Sequence, residues 1–172
     1  AGKIGEAQSF ETMVKCAKSL KKINIIEWIV VGDGRWKKEL ESSIKLNNLE
    51  DDFQLINSVP LNKINKYFNC ADALYLSLKN NKTFKKTIPG KLQTYMSTGK
   101  PIIASISGEA KKIINKAKCG FVSNAENHKL LKKNIIKFAK LNYKQRKKLG
   151  MNGKKFSNIF FSKKKIIKNL EN

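Results

Sequence analysis

Between residues 10 and 20 the apolar positions Phe10, Met13, Val14, Ala17 and Leu20 fall three and four apart, with Lys and Glu between them. That spacing gives a helix one buried stripe. The pattern then changes. Residues 25–31 form an apolar, largely β-branched run that ends at Gly32-Asp33-Gly34, as a buried strand does on entering a tight loop. The alternation continues with a helix over 36–46, a short strand over 53–56, a helix over 61–70 and a strand over 73–77. Residues 79–86, polar and rich in Lys and Asn, read as a loop. Pro89 near its start and Gly99 just past its end punctuate a short helix. A strand over 101–105, a helix over 108–117 and a strand over 120–123 follow. Helices are expected over 126–141, 144–155 and 163–170, with a break at 158–162 before the last.

Short strands alternating with helices build βαβ units, whose right-handed crossovers give a parallel sheet covered on both faces. The expected class is α/β, a doubly wound, Rossmann-like sheet. No internal repeat is visible, and 172 residues at 41% apolar content fit a single domain over 1–172. Residues 1–5 read as the tail of a strand running into a loop, so further sequence is expected upstream. No apolar run approaches the roughly 20 residues of a membrane-spanning helix. The three cysteines, Cys16, Cys70 and Cys119, are odd in number and widely spaced, which argues against a disulfide framework. With His128 the one histidine and no carboxylate cluster, neither a transition metal nor another cofactor is expected. A reducing, cytoplasmic compartment fits this usage.

The net charge of +23 changes the picture of partners. Nucleic acid, an anionic membrane surface and the codon bias of an AT-rich genome all account for such a balance. Only Arg35 and Arg146 supply guanidinium groups, and Lys is spread through nearly every segment beside abundant Asn and Ile. Base and phosphate readers lean on the bidentate fork of Arg, so nucleic acid is the least favoured of the three. A solvated helix face is the plain reading of most Lys runs.

In an open parallel sheet, ligands bind beyond the carboxyl ends of the strands, where helix N-termini present free N–H groups to anions. Five loops should share that edge: 2–5, 32–34, 57–60, 87–90 and 105–109, of which all but 57–60 contain glycine. Neither a complete G-x-G-x-x-G fingerprint nor a Walker A loop is present. The strongest candidate is Thr87-Ile88-Pro89-Gly90-Lys91. Gly90 can expose backbone donors at a helix start, while the Thr87 hydroxyl and the Lys91 ammonium offer two further groups to a diphosphate. Punctuation of a turn, with Lys91 solvated, explains the same residues.

Taken in order, Val31-Gly32-Asp33-Gly34, Ala71-Asp72-Ala73, the run from Tyr95 to Ile103, Gly108-Glu109 and Cys119-Gly120-Phe121-Val122 resemble the C-terminal half of group 1 (family 4) glycosyltransferases. The opening residues 2–8 further resemble the subgroup that transfers acetamido sugars in bacterial surface-polysaccharide synthesis. The resemblance implies a GT-B architecture of two Rossmann-like domains, this chain being the half that binds the nucleotide sugar, most simply UDP-linked. It implies a retaining, metal-free transfer to a saccharide or lipid-linked acceptor, and the lysine excess offers a basic face that could hold this cytoplasmic protein at the inner face of the cytoplasmic membrane. An N-terminal partner domain is needed for activity, so no catalytic residue is assigned here.

By position, Thr87, Ile88, Gly90, Lys91 and Gly5 would face the diphosphate, and Asn57, Ser58, Val59, Gln93 and Thr94 the base and ribose. Gly32, Gly34, Gly108 and Glu109 would form secondary loops, and residues 160–172 a crossover helix toward the other domain. Many members carry two glutamates seven residues apart where this chain has Lys86 and Thr94. A polyanion-binding Rossmann-like module and a degenerate glycosyltransferase-like domain stand as alternatives.

Overall fold

In the computed structural model, residues 1–161 are described. The chain opens with α1 (Phe10–Leu20), β1 (Trp28–Val31), α2 (Lys37–Leu46), β2 (Phe53–Ile56) and α3 (Leu61–Cys70). It continues through β3 (Leu74–Ser77), α4 (Lys82–Lys86), α5 (Gly90–Thr98), β4 (Ile102–Ser105) and α6 (Glu109–Ala117). Then come β5 (Gly120–Ser123), α7 (His128–Ala139) and α8 (Tyr143–Phe160). All strand pairings are parallel, as crossover helices between consecutive strands require. The α/β, Rossmann-like class is the one expected.

Three details differ from the sequence expectation. The strands form two groups, β1-β2 and β3-β4-β5, where one continuous sheet was expected. Within 79–86 a short helix forms, because the Asn81 side chain caps it by accepting from the Thr83 N–H at 2.7 Å. Finally, α8 runs on through residues 158–160, with Phe156 stacked on Phe160 at 4.1 Å one turn later. The expected helix over 163–170, and most of the 160–172 crossover segment, lie outside the described residues.

β4 divides the core between the two sheet faces. Ile102 and Ala104 pack with Leu92, Met96 and Ile114 on the α5/α6 side, whereas Ile103 joins Met13, Leu131 and Ile135 on the α1/α7 side. Period-two alternation along a strand buried on both faces produces this division. At the other end of the molecule Trp28 stacks on Phe53 at 6.1 Å and meets Tyr75 edge-on at 5.2 Å. Cys16 and Cys119 are buried free thiols pushed up by desolvation, to about 12 and about 11.

Helix α8 crosses α5 on glycine. A Cβ at Gly150 would lie 1.8 Å from the Gly99 carbonyl oxygen, and one at Gly153 would lie 3.1 Å from Cys119 Cβ. Small residues at this crossing let the helices approach closely and hold α5 in place, and α5 carries the candidate site.

Candidate functional site

Helix α5 begins at Pro89-Gly90 without a side-chain cap, and its first turn contains no acidic residue. The N–H groups of Gly90 and Lys91 have no intrahelical acceptor at that position, and the helix dipole adds positive potential there. Gly90 is exposed, and a Cβ on it would meet nothing within 4 Å. Neither packing nor a positive φ therefore requires glycine at residue 90. Close approach of a bound group is what glycine permits here.

Lys91 extends beneath the loop 2–5: a Cβ on Gly2 would stand 3.1 Å from Lys91 Cε and 3.3 Å from Nζ. The loop is fixed by backbone bonds, since the Gly2 and Ile4 N–H groups donate to the Val31 and Asp33 carbonyls at 2.8 Å each. Packed there, the Lys91 ammonium loses hydration, which pulls its pKa below the ordinary lysine value. An anion seated at the α5 N-terminus would restore the lost solvation. Helix α6 differs, because Glu109 occupies its first turn and pairs with Lys112 at 2.7 Å. Its dipole is already met by a carboxylate of the protein.

Other expected site groups are occupied within the protein. The Gly5 N–H donates to Gln8 Oε1 at 2.9 Å, the Thr87 hydroxyl to the Phe84 carbonyl at 3.3 Å, and the Thr94 hydroxyl to the Gly90 carbonyl at 3.3 Å. Each must turn from its acceptor before it can donate to a phosphate oxygen. Ile88 and Gln93 are exposed beside them. Asn57 accepts from Lys37 at the end of β2; Ser58 is exposed and Val59 partly buried. These three do not border the cavity that Gly90 and Lys91 share with Gly2 and Ile4.

The secondary-loop glycines have packing roles. Gly32 and Gly34 sit at φ of 152° and 155°, and a Cβ on them would strike the Gly2 and Ile4 carbonyl oxygens at 1.8 and 2.1 Å. At Gly108, φ is 76° and a Cβ would come within 1.9 Å of the Lys85 carbonyl oxygen. Glycine here lets neighbouring backbone segments touch.

Two contributors were not legible in the sequence. Lys79 bonds Glu6 at 2.6 Å and lies 5.3 Å from the centre of the Trp36 ring, and its N–H donates to the Ala7 carbonyl at 2.9 Å. It thereby anchors the turn after Gly5, and the Glu6 carboxylate raises its pKa. Tyr95 is buried beneath loop 2–5 and accepts from the Ala1 nitrogen at 3.0 Å. Both contacts join residues more than 70 positions apart, beyond the reach of any local pattern.

These placements predict that Gly90→Ala leaves the melting temperature unchanged or slightly raised, because nothing stands in the way of the methyl group. The same change should weaken nucleotide diphosphate binding several-fold, measured by calorimetry. Unchanged affinity would remove the close approach from this account.

A family model described as "Glycosyl transferases group 1" matches residues 1–156. No curated protein matches the chain in sequence. Among solved structures, the C-terminal domain of a glycosyl transferase group 1 family protein (LpcC) from Francisella tularensis aligns with a TM-score of 0.76 at 19% identity, over 95% of this chain and 84% of that one. HepE from Anabaena, solved in complex with UDP, aligns with a TM-score of 0.80 at 15% identity, over 99% of this chain and 48% of that one. TarM from S. aureus, in complex with UDP among other ligands, aligns with a TM-score of 0.79 at 15% identity, over 97% of this chain and 33% of that one. The chain thus spans less than half the length of HepE and TarM. At these identities the likeness is one of fold.

Proposed function

Since the chain belongs to the group 1 glycosyl transferases, we propose that it is the donor-binding half of a two-domain enzyme that transfers a sugar from a UDP-sugar. The observation that carries this reading is the uncapped N-terminus of α5, with Gly90 open and the Lys91 ammonium desolvated against loop 2–5. HepE, solved with UDP, is a relative in fold, and this supports the choice of nucleotide.

In this reading the Gly90 and Lys91 N–H groups and the Lys91 ammonium receive the diphosphate. They are held in place before reaction, so the negative charge of the departing group meets fixed donors instead of reorganising water. Thr87 and Gly5 join when they release Phe84 and Gln8, while Gln93 and Thr94, one turn along α5, lie toward the ribose. Asn57, Ser58 and Val59 take the base. Transfer proceeds with retention and without a metal, to a saccharide or lipid-linked acceptor held by a second, N-terminal domain without which this chain is inactive. An acetamido sugar and surface-polysaccharide synthesis are the finer assignment.

The exposed lysines of α8, among them Lys144, Lys147, Lys148, Lys154 and Lys155, form the face that would rest on the anionic inner leaflet of the cytoplasmic membrane. Each well-placed lysine adds about 1 kcal/mol to such an attraction.

Calorimetric titration with UDP and with single-stranded oligonucleotides at two salt concentrations tests the assignment. The expected result is UDP binding that persists at high salt. Oligonucleotide binding alone, with a steep salt dependence, would replace the donor site with a polyanion-binding module.

A further inference from the structure

The acidic residues of this chain are unevenly placed. More than half of the 13 fall between residues 27 and 52, and from residue 127 to residue 170 there is no Asp or Glu, while Lys recurs throughout that stretch. Codon bias enriches lysine everywhere but gives no reason to clear one stretch of carboxylates. The lysines of α8 have no ion-pair partner among the described residues, and the salt bridge that α8 does make joins Arg146 to Asp72 at 2.9 Å. The outcome is a surface of one sign.

Topology fixes where that surface lies. In a parallel sheet the strand N-termini and the C-termini of the crossover helices share the edge opposite the ligand loops. Helix α8 runs across that edge: Arg146 meets Asp72 just before β3, Gly150 packs on Gly99 before β4, and the Asn152 side-chain amide donates to the Lys118 carbonyl before β5 at 3.0 Å. Gly90, with the proposed diphosphate site, stands at the far end of α5, roughly 13 Å away along a helix of 9 residues. The outer stripe of α8 is not purely basic. Gly150, Gly153 and Ser157 form its buried face. Lys144, Lys148, Met151, Lys155 and Ile159, also three and four apart, are exposed and share the opposite one. Met151 is 41% and Ile159 55% exposed, each one turn from a lysine. An anionic bilayer suits this mixture, because lysines reach the headgroup phosphates while apolar side chains between them enter the acyl boundary. A nucleic-acid backbone offers Met151 and Ile159 no apolar layer.

We propose that α8 seats in the bilayer interface with Met151 and Ile159 inserted between its lysines, so that the protein stands on the edge opposite the donor site and the α5 N-terminus points away from the membrane. This rests on the reading of the α8 lysines as a membrane face, and adds to it the inserted pair and the orientation. The donor edge is thereby left open to the aqueous side, from which a water-soluble nucleotide sugar arrives.

Co-sedimentation with vesicles of phosphatidylcholine, alone or with about one-third phosphatidylglycerol, tests the proposal. The chain is expected to bind only the anionic vesicles. Lys148→Ala with Lys155→Ala should lower the partition coefficient about thirtyfold. Met151→Asn with Ile159→Asn should lower it about tenfold. Lys15→Ala with Lys18→Ala, which removes the same charge from the exposed side of α1, should change it less than about threefold. Lipids brominated along the acyl chain report the orientation. Tryptophan fluorescence of the Met151→Trp variant should be quenched, whereas that of the parent, with Trp36 at the ligand edge and Trp28 in the core, should not. Unchanged binding of the Met151/Ile159 variant, quenching of the parent, or no quenching in Met151→Trp overturns the proposal and leaves the lysine reading in place. No binding to anionic vesicles, equal loss with the α1 lysines, or preference for a duplex oligonucleotide overturns both. UDP affinity of the α8 variants should equal that of the parent, and its loss would overturn the separation of the two edges. A parent that binds vesicles in this way but not UDP keeps the proposal and loses the donor site.

Discussion

Lys91→Ala is expected to weaken UDP binding by about ten- to a hundredfold, the loss of one hydrogen-bonded charge contact worth roughly 1.5–3 kcal/mol. The melting temperature should stay the same or rise, because the side chain brings a desolvated ammonium to the folded state and makes no salt bridge among the described residues. Most substitutions at a site weaken binding and folding together, so this opposition is diagnostic. Calorimetric titration and thermal denaturation of the same preparation check it.

A pH series gives an independent readout of the same residue. The pKa of Lys91 in the free protein lies below the ordinary lysine value because of desolvation, and a bound diphosphate raises it again. Binding is then linked to proton uptake once the pH approaches the lowered value. Affinity is fully present at neutral pH and falls as pH rises through the free-protein pKa of Lys91; that slope should vanish in the alanine variant. A slope unchanged by the substitution would assign the titration to another group.

Gly150→Ala carries the largest expected cost to folding. The added methyl would stand 1.8 Å from the Gly99 carbonyl oxygen and 2.6 Å from its carbonyl carbon. Both are backbone atoms, and Gly99 is itself held at φ 75° as the C-cap of α5, so the neighbour cannot rotate aside. The better helix propensity of alanine returns about 1 kcal/mol. A contact this short outweighs it, and α8 must lift from α5. A net loss of about 2–3 kcal/mol is expected, a fall of roughly 4–12 °C in melting temperature for a chain of this size. Met151→Ala, at the exposed neighbouring position, serves as the control and should shift the midpoint little. Because α5 carries the proposed diphosphate site, UDP affinity should drop alongside stability here, unlike in the Lys91 variant. A midpoint equal to that of the control would show that the helices have room to separate.

Much of the fold was legible from local signals. The apolar stripe of α1 at three- and four-residue steps became a buried face of Met13, Val14, Ala17 and Leu20. Pro89 and Gly99 marked the two ends of α5 to within a residue. The helix in 79–86 was missed because its only signal is the cap at Asn81 inside a polar run. Phe156 and Phe160 stack within α8 where a break over 158–162 was expected.

The candidate site divides in the same way. The sequence by itself determined the alternation of strand and helix, the parallel class that follows from it, and the helix start at Pro89-Gly90; that this start is uncapped is a structural finding. What the sequence determined depends on side-chain spacing and on backbone groups within a few residues of one another. Only the tertiary structure decided that Lys91 is desolvated under loop 2–5 and that Gly32, Gly34 and Gly108 make room for backbone. It alone also showed the sheet parted along a slot between β1 and β3. Those facts depend on which distant segments touch. Local spacing encodes the face that an element buries, but not which distant backbone it meets there.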